Sequence, residues 1–361
     1  GQQERGETVT WDAVDYETLV DSPIFAGQHA RTWDLGHDVQ LSVVADKGDL
    51  LELKPEHLAT FEKLVDESLA LFGARHFDHY EFLLALTDRL GAIGLEHQRS
   101  SENTYEPNAF TEWDDTAWDR NVIPHELAHS WIGKYRRPAE MWTPDYRQPM
   151  RGQLLWVYEG QDQFWGNVIA ARSGLQKKET ILGAIAQQAG AYAEQPGRGW
   201  RSVEDTTYGP VFAARKAKPY ATLARGEDYY NEGMLIWLEA DQIIRQRSGG
   251  AKSIDDFAKA FFGIRDSHWG QVTYTFDDVL ASLKAGQPYD WTGFLDQRIN
   301  RPNQPPPLKG IEMGGYRLVW KDTPNPYTAG VMANDKSLSL THSLGIGLDR
   351  DGKVTSTQWN G

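Results

Sequence analysis

The sequence predicts an α+β fold, and three stretches carry that prediction. Residues 37–53 (HDVQLSVVADKGDLLEL) are rich in β-formers, and Tyr80–Thr87 (YEFLLALT) is a continuous apolar run of buried-strand length. From about residue 122 to 299, apolar residues recur mainly at helical spacing. A small β-containing lobe followed by a helical lobe is the architecture these patterns predict.

Taken in order, residues 1–36 form a polar opening segment and residues 37–300 hold the two lobes. After the first β run a helix starts near Pro55. Leu58, Phe61, Leu64, Val65, Leu69 and Leu71 lie on its apolar face, and Gly73 is its C-terminal cap. YEFLLALT follows as a strand and leads into a loop, LGAIGLEHQRSS. Helices are expected over 122–134, 152–172, 178–194, 229–247, 253–262, 275–285 and 290–299. Ser253 with Asp256, and Thr275 with Asp278, read as capping boxes. Residues 301–315 open with RPNQPPPLKG and read as a proline-rich linker, and 316–361 as short β-like runs broken by glycine.

Composition narrows the function. A net charge of −14 argues against nucleic acid or anionic lipid as a partner, since both recruit basic patches. No apolar run approaches the roughly 18 residues of a membrane span. With no cysteine, a metal would have to be held by His, Asp or Glu, and a thiol nucleophile is excluded. The 14 tryptophans read first as core and wall residues.

The chemistry concentrates in IPHELAHSW, Ile123–Trp131. His125 and His129 are one helical turn apart on the same face, so both rings can reach one ion. Glu126 is placed to act on a water beside that ion without ligating it. Chance produces HExxH in such a chain only ~0.02 times, and Pro124 suits the first turn of a helix. A catalytic zinc takes three protein ligands. The pattern HExxHxxGxxH is excluded by Ile132 and Tyr135. The third ligand is then expected to be a carboxylate on a later helix. Glu159 in LLWVYEGQDQFWG is the best placed, with Glu140, Asp145 and Asp162 as competitors. Gly160 beside it implies a close approach of backbone or ligand.

HELAHSW followed by WVYEG (156–160) resembles the gluzincin arrangement HExxH…WxxEG, and its separation is similar to that of the glycyl aminopeptidase family. DSPIFAG (21–27), GLEH (94–97) and YYNEGMLIWLEADQIIR (229–245) resemble other stretches of that family, so the likeness runs from about Asp15 to near the end. It implies a thermolysin-like gluzincin catalytic domain with zinc on His125, His129 and Glu159, and Glu126 as general base. It further implies that Tyr230 stabilises the tetrahedral oxyanion and that Glu96 holds the substrate's free α-amino group. One residue departs from the pattern: Glu232 stands where the family's YYxKG helix has lysine, which puts local packing in question rather than chemistry.

The resemblance also implies a PDZ-like β domain, of which HSLGIGLDRDGKVTSTQWNG (342–361) would be only the first strands, so the chain is expected to be a piece of a longer protein. The expected activity is that of a zinc aminopeptidase acting on peptides with a free N-terminus, small residues such as Gly or Ala favoured. A thermolysin-like endopeptidase with Glu96 merely structural, and a non-catalytic PDZ scaffold, are the alternatives. A periplasmic or secreted location is the family's tendency only.

Overall fold

The computed structural model describes residues 2–5, 8–145, 147–213 and 221–359. The chain opens with a hairpin of β1 (Gln2–Arg5) and β2 (Thr8–Trp11), then a short helix α1 (Tyr16–Val20) capped by the Asp15 side chain. The first lobe is built on β3 (His29–Asp34), β4 (Val39–Ala45), α2 (Pro55–Phe72), β5 (Tyr80–Leu86), β6 (Gly94–Glu96) and β7 (Ser100–Tyr105). Its five strands lie in the order β3-β4-β5-β7-β6. β4, β5 and β7 run parallel, with Val39 opposite Tyr80 and Glu81 opposite Ser100. β3 and β6 are antiparallel edges.

YEFLLAL is apolar at nearly every position because β5 is the central strand and is buried on both faces. α2 crosses from β4 to β5. Its apolar stripe, including Phe61, Leu64 and Val65, is buried, and Gly73 caps it at φ +67°.

The second lobe holds α3 (Val122–Ala128), β8 (Arg136–Pro138), α4 (Leu155–Ser173) and α5 (Lys178–Glu194). Three short helices follow: α6 (Val203–Thr206), α7 (Gly209–Ala213) and α8 (Ala221–Ala224). Then come α9 (Asn231–Arg247), α10 (Ile254–Phe261), β9 (Val272–Tyr274), α11 (Phe276–Gly286) and α12 (Trp291–Leu295), the last running into a π-helical turn, Asp296–Asn300. Both expected capping boxes are formed.

α3 stops earlier than its periodicity suggests. After Ala128 the chain tightens, Lys134 N–H donating to the His129 carbonyl and Gly133 N–H to that of Arg136. Trp131, Trp156 and Trp165 are all buried core residues rather than walls of a cleft. Trp131 stacks on Phe72 at 4.5 Å and donates its indole N–H to the Ala74 carbonyl, which ties the segment after α3 to the end of α2.

Within 301–315, α13 (Lys309–Met313) packs on α9. Beyond it, α14 (Pro326–Asn334) is helical where β-like runs were expected, capped by Asn325 and docked on α5. Three strands, β10 (Ser337–Leu340), β11 (Ile346–Asp349) and β12 (Val354–Thr357), then form an antiparallel sheet. Among the described residues no helix is long and apolar enough to cross a membrane.

Candidate active site

Three elements meet at the histidine pair: α3 lies between the β6 edge of the sheet and α4, and α4 packs along α9. Every residue from Ile123 to His129 is buried. His125 Nε2 and His129 Nε2 are 3.2 Å apart, and Glu159 Oε2 lies 3.5 Å from the first and 3.4 Å from the second. That carboxylate oxygen is buried without a hydrogen-bond partner.

The triangle fits a tetrahedral metal. Bond lengths of about 2.0–2.2 Å to nitrogen and oxygen, at tetrahedral angles, require donor separations of about 3.3–3.4 Å. Buried polar atoms converging at that spacing, with Glu159 Oε2 unsatisfied, are what a bound divalent cation would complete. Glu140 and Asp145, the other sequence candidates, form no part of the buried triangle. Asp162 has a different place: its Oδ2 lies 2.9 Å from His129 Nδ1, on the far side of the ring. The same Nδ1 donates to the Ile132 carbonyl at 3.0 Å. The Ile132 carbonyl can only accept, so Nδ1 carries a proton, and Nε2, which faces the triangle, is the nitrogen that would bind a metal in place of a proton of its own.

The electrostatics agree with a cation site. Burial disfavours the charged form of His129, but Asp162, Glu96 and Glu159 outweigh it and hold the ring well above the ordinary imidazole value. Burial likewise acts against Glu159, and the charges and hydrogen-bonding capacity of His129 and His125 overcome it, keeping the carboxyl far below the usual range. Glu126 is pushed up to about 7, by burial first and by Glu96 and Glu159 next, against the two histidines.

Glu126 and the sheet edge are in contact. A side chain at Gly94 would put its Cβ 2.5 Å from Glu126 Oε1. Strand alternation puts Glu96, two residues on, on the same side as that missing Cβ, toward the histidines. Glu96 Oε1 accepts a 2.6 Å hydrogen bond from the Tyr158 hydroxyl, and the Tyr158 ring lies 4.9 Å from that of His129. Burial raises the Glu96 carboxyl, yet His129, Lys134 and the Tyr158 bond hold it below its ordinary value, so it stays anionic.

Tyr230 is the N-cap residue of α9, half-buried, with its ring near-parallel to that of His125 at 6.2 Å. The crossing of α4 and α9 fixes this placement. A Cβ on Gly160 would sit 2.9 Å from the Tyr229 carbonyl oxygen and 3.1 Å from Gly233 Cα, so only glycine lets the helices meet here. Glu232, the departure from YYxKG, is buried and bound to two arginines. Its Oε1 accepts from Arg198 at 2.8 and 3.1 Å, and its Oε2 from Arg225.

The structure thus gathers His125, Glu126, His129, Glu159, Glu96 and Tyr230 around one point. Sequence reasoning missed Tyr158 and Lys134. Asp162, another of the sequence candidates for the third ligand, lies instead beside Nδ1 of His129, away from the triangle. An acid three residues after Glu159, on the same helix, was the available signal.

Fold and geometry together define a gluzincin-type centre, an HExxH helix completed by a glutamate from the next long helix. Comparison with known proteins agrees. Residues 118–236 match the family model described as M61 glycyl aminopeptidase, which spans both ligand helices and the start of α9. An aminopeptidase N family protein from Idiomarina loihiensis superposes with a TM-score of 0.67 at 19% identity, over 79% of this chain and 48% of that one. Leukotriene A4 hydrolase from Saccharomyces cerevisiae gives 0.47 at 15% identity, over 77% and 40%. An M1 zinc metallopeptidase from Deinococcus radiodurans, solved with a Tyr-Ser-Ala substrate, gives 0.46 at 14% identity, over 82% and 54%. This chain therefore spans about half the length of these solved structures. No curated protein sequence matches it. The likeness to the glycyl aminopeptidase family is thus carried by residues 118–236, the stretch that holds the histidine pair and Glu159.

Proposed function

We propose that this chain is the catalytic part of a zinc aminopeptidase, releasing N-terminal residues, small ones such as Gly or Ala favoured, from peptides. The observation that carries the reading is Glu96, an anionic carboxylate on the same face of β6 that meets Glu126, beside the metal-ligand triangle. An acid there gives a peptide's α-ammonium a partner and leaves an acylated terminus without one.

His125, His129 and Glu159 would hold the zinc, which when bound polarises the scissile carbonyl and makes water nucleophilic at neutral pH. Glu126 takes a proton from the attacking water and returns it to the leaving amine. Tyr230 donates its hydroxyl to the developing oxyanion; losing such a donor costs on the order of 100-fold or more in rate. Glu96 binds the α-ammonium and thereby sets which peptide bond is presented. Among the described residues β6 pairs only with β7, so its outer edge carries no strand and could take a substrate backbone.

The test is mass-spectrometric cleavage of two peptides, one with a free Gly or Ala terminus and one N-acetylated, each with and without a chelator. Stepwise loss of the first residue from the free peptide alone, abolished by chelation, is expected. Internal cuts in both peptides would make the protein an endopeptidase and remove Glu96 from the site.

A further inference from the structure

Tyr158 has no part in the steps above, yet it occupies a distinctive position. It directly precedes Glu159 on α4, its side chain is buried, and its hydroxyl donates to Glu96 Oε1 across 2.6 Å. Its ring is fixed from two sides. The His129 imidazole lies at 4.9 Å, and Gly133, at φ +112°, presents its backbone so closely that a Cβ there would fall 2.2 Å from the ring. A side chain at 133 would displace the ring, and that φ is itself one that side chains rarely adopt.

We propose that Tyr158 is a positioning residue that holds the Glu96 carboxylate at a fixed distance from the metal-ligand triangle, so that the bound α-ammonium registers the first peptide bond over the reactive centre. The inference rests on the aminopeptidase reading. β6 is a three-residue edge strand. A glutamate side chain on such an edge has rotamer freedom, which a bond to a rigid helix removes. Tyr158 joins the two directly, because the residue that restrains Glu96 is covalently next to the ligand Glu159. The phenol is the donor of this pair, since an ionised carboxylate can only accept. Lys134 contributes charge to the Glu96 environment without fixing a direction, since its ammonium pairs with Asp21 at 3.6 Å.

The experiment is a double-mutant cycle on the zinc-loaded protein with Tyr158→Phe, Glu96→Gln and both together, reading kcat and KM for a free-terminus dipeptide amide. Tyr158→Phe keeps the ring and is expected to raise KM about tenfold or more, with kcat within about twofold and zinc content unchanged. In the Glu96→Gln background the same change is expected to cost less than about twofold, because the anionic anchor that Tyr158 would position is gone. An unchanged KM, a loss confined to kcat, or fully multiplicative effects would overturn the inference while the wild type still discriminates free from acetylated termini. A wild type that cuts both termini alike would instead refute the aminopeptidase reading and the anchor with it. Should Tyr158→Phe fail to fold, Glu96→Asp draws the carboxylate away from the intact phenol. An unchanged KM there also overturns the inference, since an anchor that tolerates displacement needs no positioning.

Discussion

Replacing Glu232 by glutamine tests whether the departure from YYxKG is a compensated swap of charge. Both oxygens of Glu232 are buried on arginines, Oε1 on Arg198 and Oε2 on Arg225, and each guanidinium is itself almost wholly buried. Burial alone would make Arg225 easier to deprotonate, but Glu232 and Asp228 outweigh it, so the group cannot escape by losing its proton. After substitution Arg225 retains the Asp228 carboxylate, while Arg198 is left with neutral acceptors such as the carbonyls of Gln304 and Pro305, at 3.1 and 3.2 Å. Breaking one partner out of a buried ion pair costs about 3–5 kcal/mol. In a chain of this size, at about 2 °C per kcal/mol, Tm should fall by about 6–10 °C. Glu232→Lys, the family's own residue, should cost more, since it adds a third cation to two. Thermal melting at low and high salt is the assay, with limited proteolysis near 302–306 as a second readout because Arg198 ties that segment to α9. A fall under about 2 °C, or one that salt reproduces in the wild type, would refute the argument, because buried pairs are screened little.

Three further expectations follow from the geometry. Glu126→Gln should retain zinc, measured by metal analysis after dialysis, while turnover falls on the order of 10²–10⁴-fold; activity near wild type would remove Glu126 as the general base. Gly160→Ala gains up to about 1 kcal/mol of helix propensity but forces Cβ against the backbone of α9, so a net loss of about 1–2 kcal/mol in urea unfolding is expected, and a stabilised variant would contradict the tight crossing. His97 is held between Asp21 and Glu102 at 3.1 and 3.0 Å; burial lowers its pKa, but those carboxylates outweigh both that and Lys134 and raise it above 6.5. A raised histidine contributes stability in full below pH 6.5 and loses it as pH climbs through the folded value, so over that window wild-type stability should fall relative to that of His97→Gln, the difference between the two curves isolating this group.

What the sequence revealed depended on how local each signal was. His125 and His129 were legible because one helical turn brings them together whatever the rest of the chain does. Glu159 was legible as the best of several acids, since Gly160 beside it pointed to a close approach that proved to be Gly233. SSENTY gave no sign of being a strand: its residues are polar, and its place in the sheet comes from pairing with the apolar β5. The early end of α3 was hidden as well, because the apolar pattern continues through Trp131 and Ile132 while Gly133 and the β8 segment redirect the backbone. The role of Tyr158 lies beyond any local pattern, since its partner Glu96 is 62 residues away. Asn325 and Pro326 could have signalled α14 as cap and first helical residue, had the glycine after them not read as a strand break.

The meeting of Gly160 with Gly233 has a mechanical consequence. Two helices that touch at a pair of glycines share a fulcrum, and motion about it scales with distance along the axis. Tyr230 is three residues from Gly233, a lever arm of about 4.5 Å, whereas Arg247 at the other end of α9 is about 21 Å away. A tilt of about 10° would carry Arg247 nearly 4 Å but Tyr230 less than 1 Å, and Glu159, adjoining the fulcrum on α4, still less. Any tilt of α9 on α4 would therefore shift the distal end of the helix several times further than the spacing between the histidine–glutamate triangle and Tyr230.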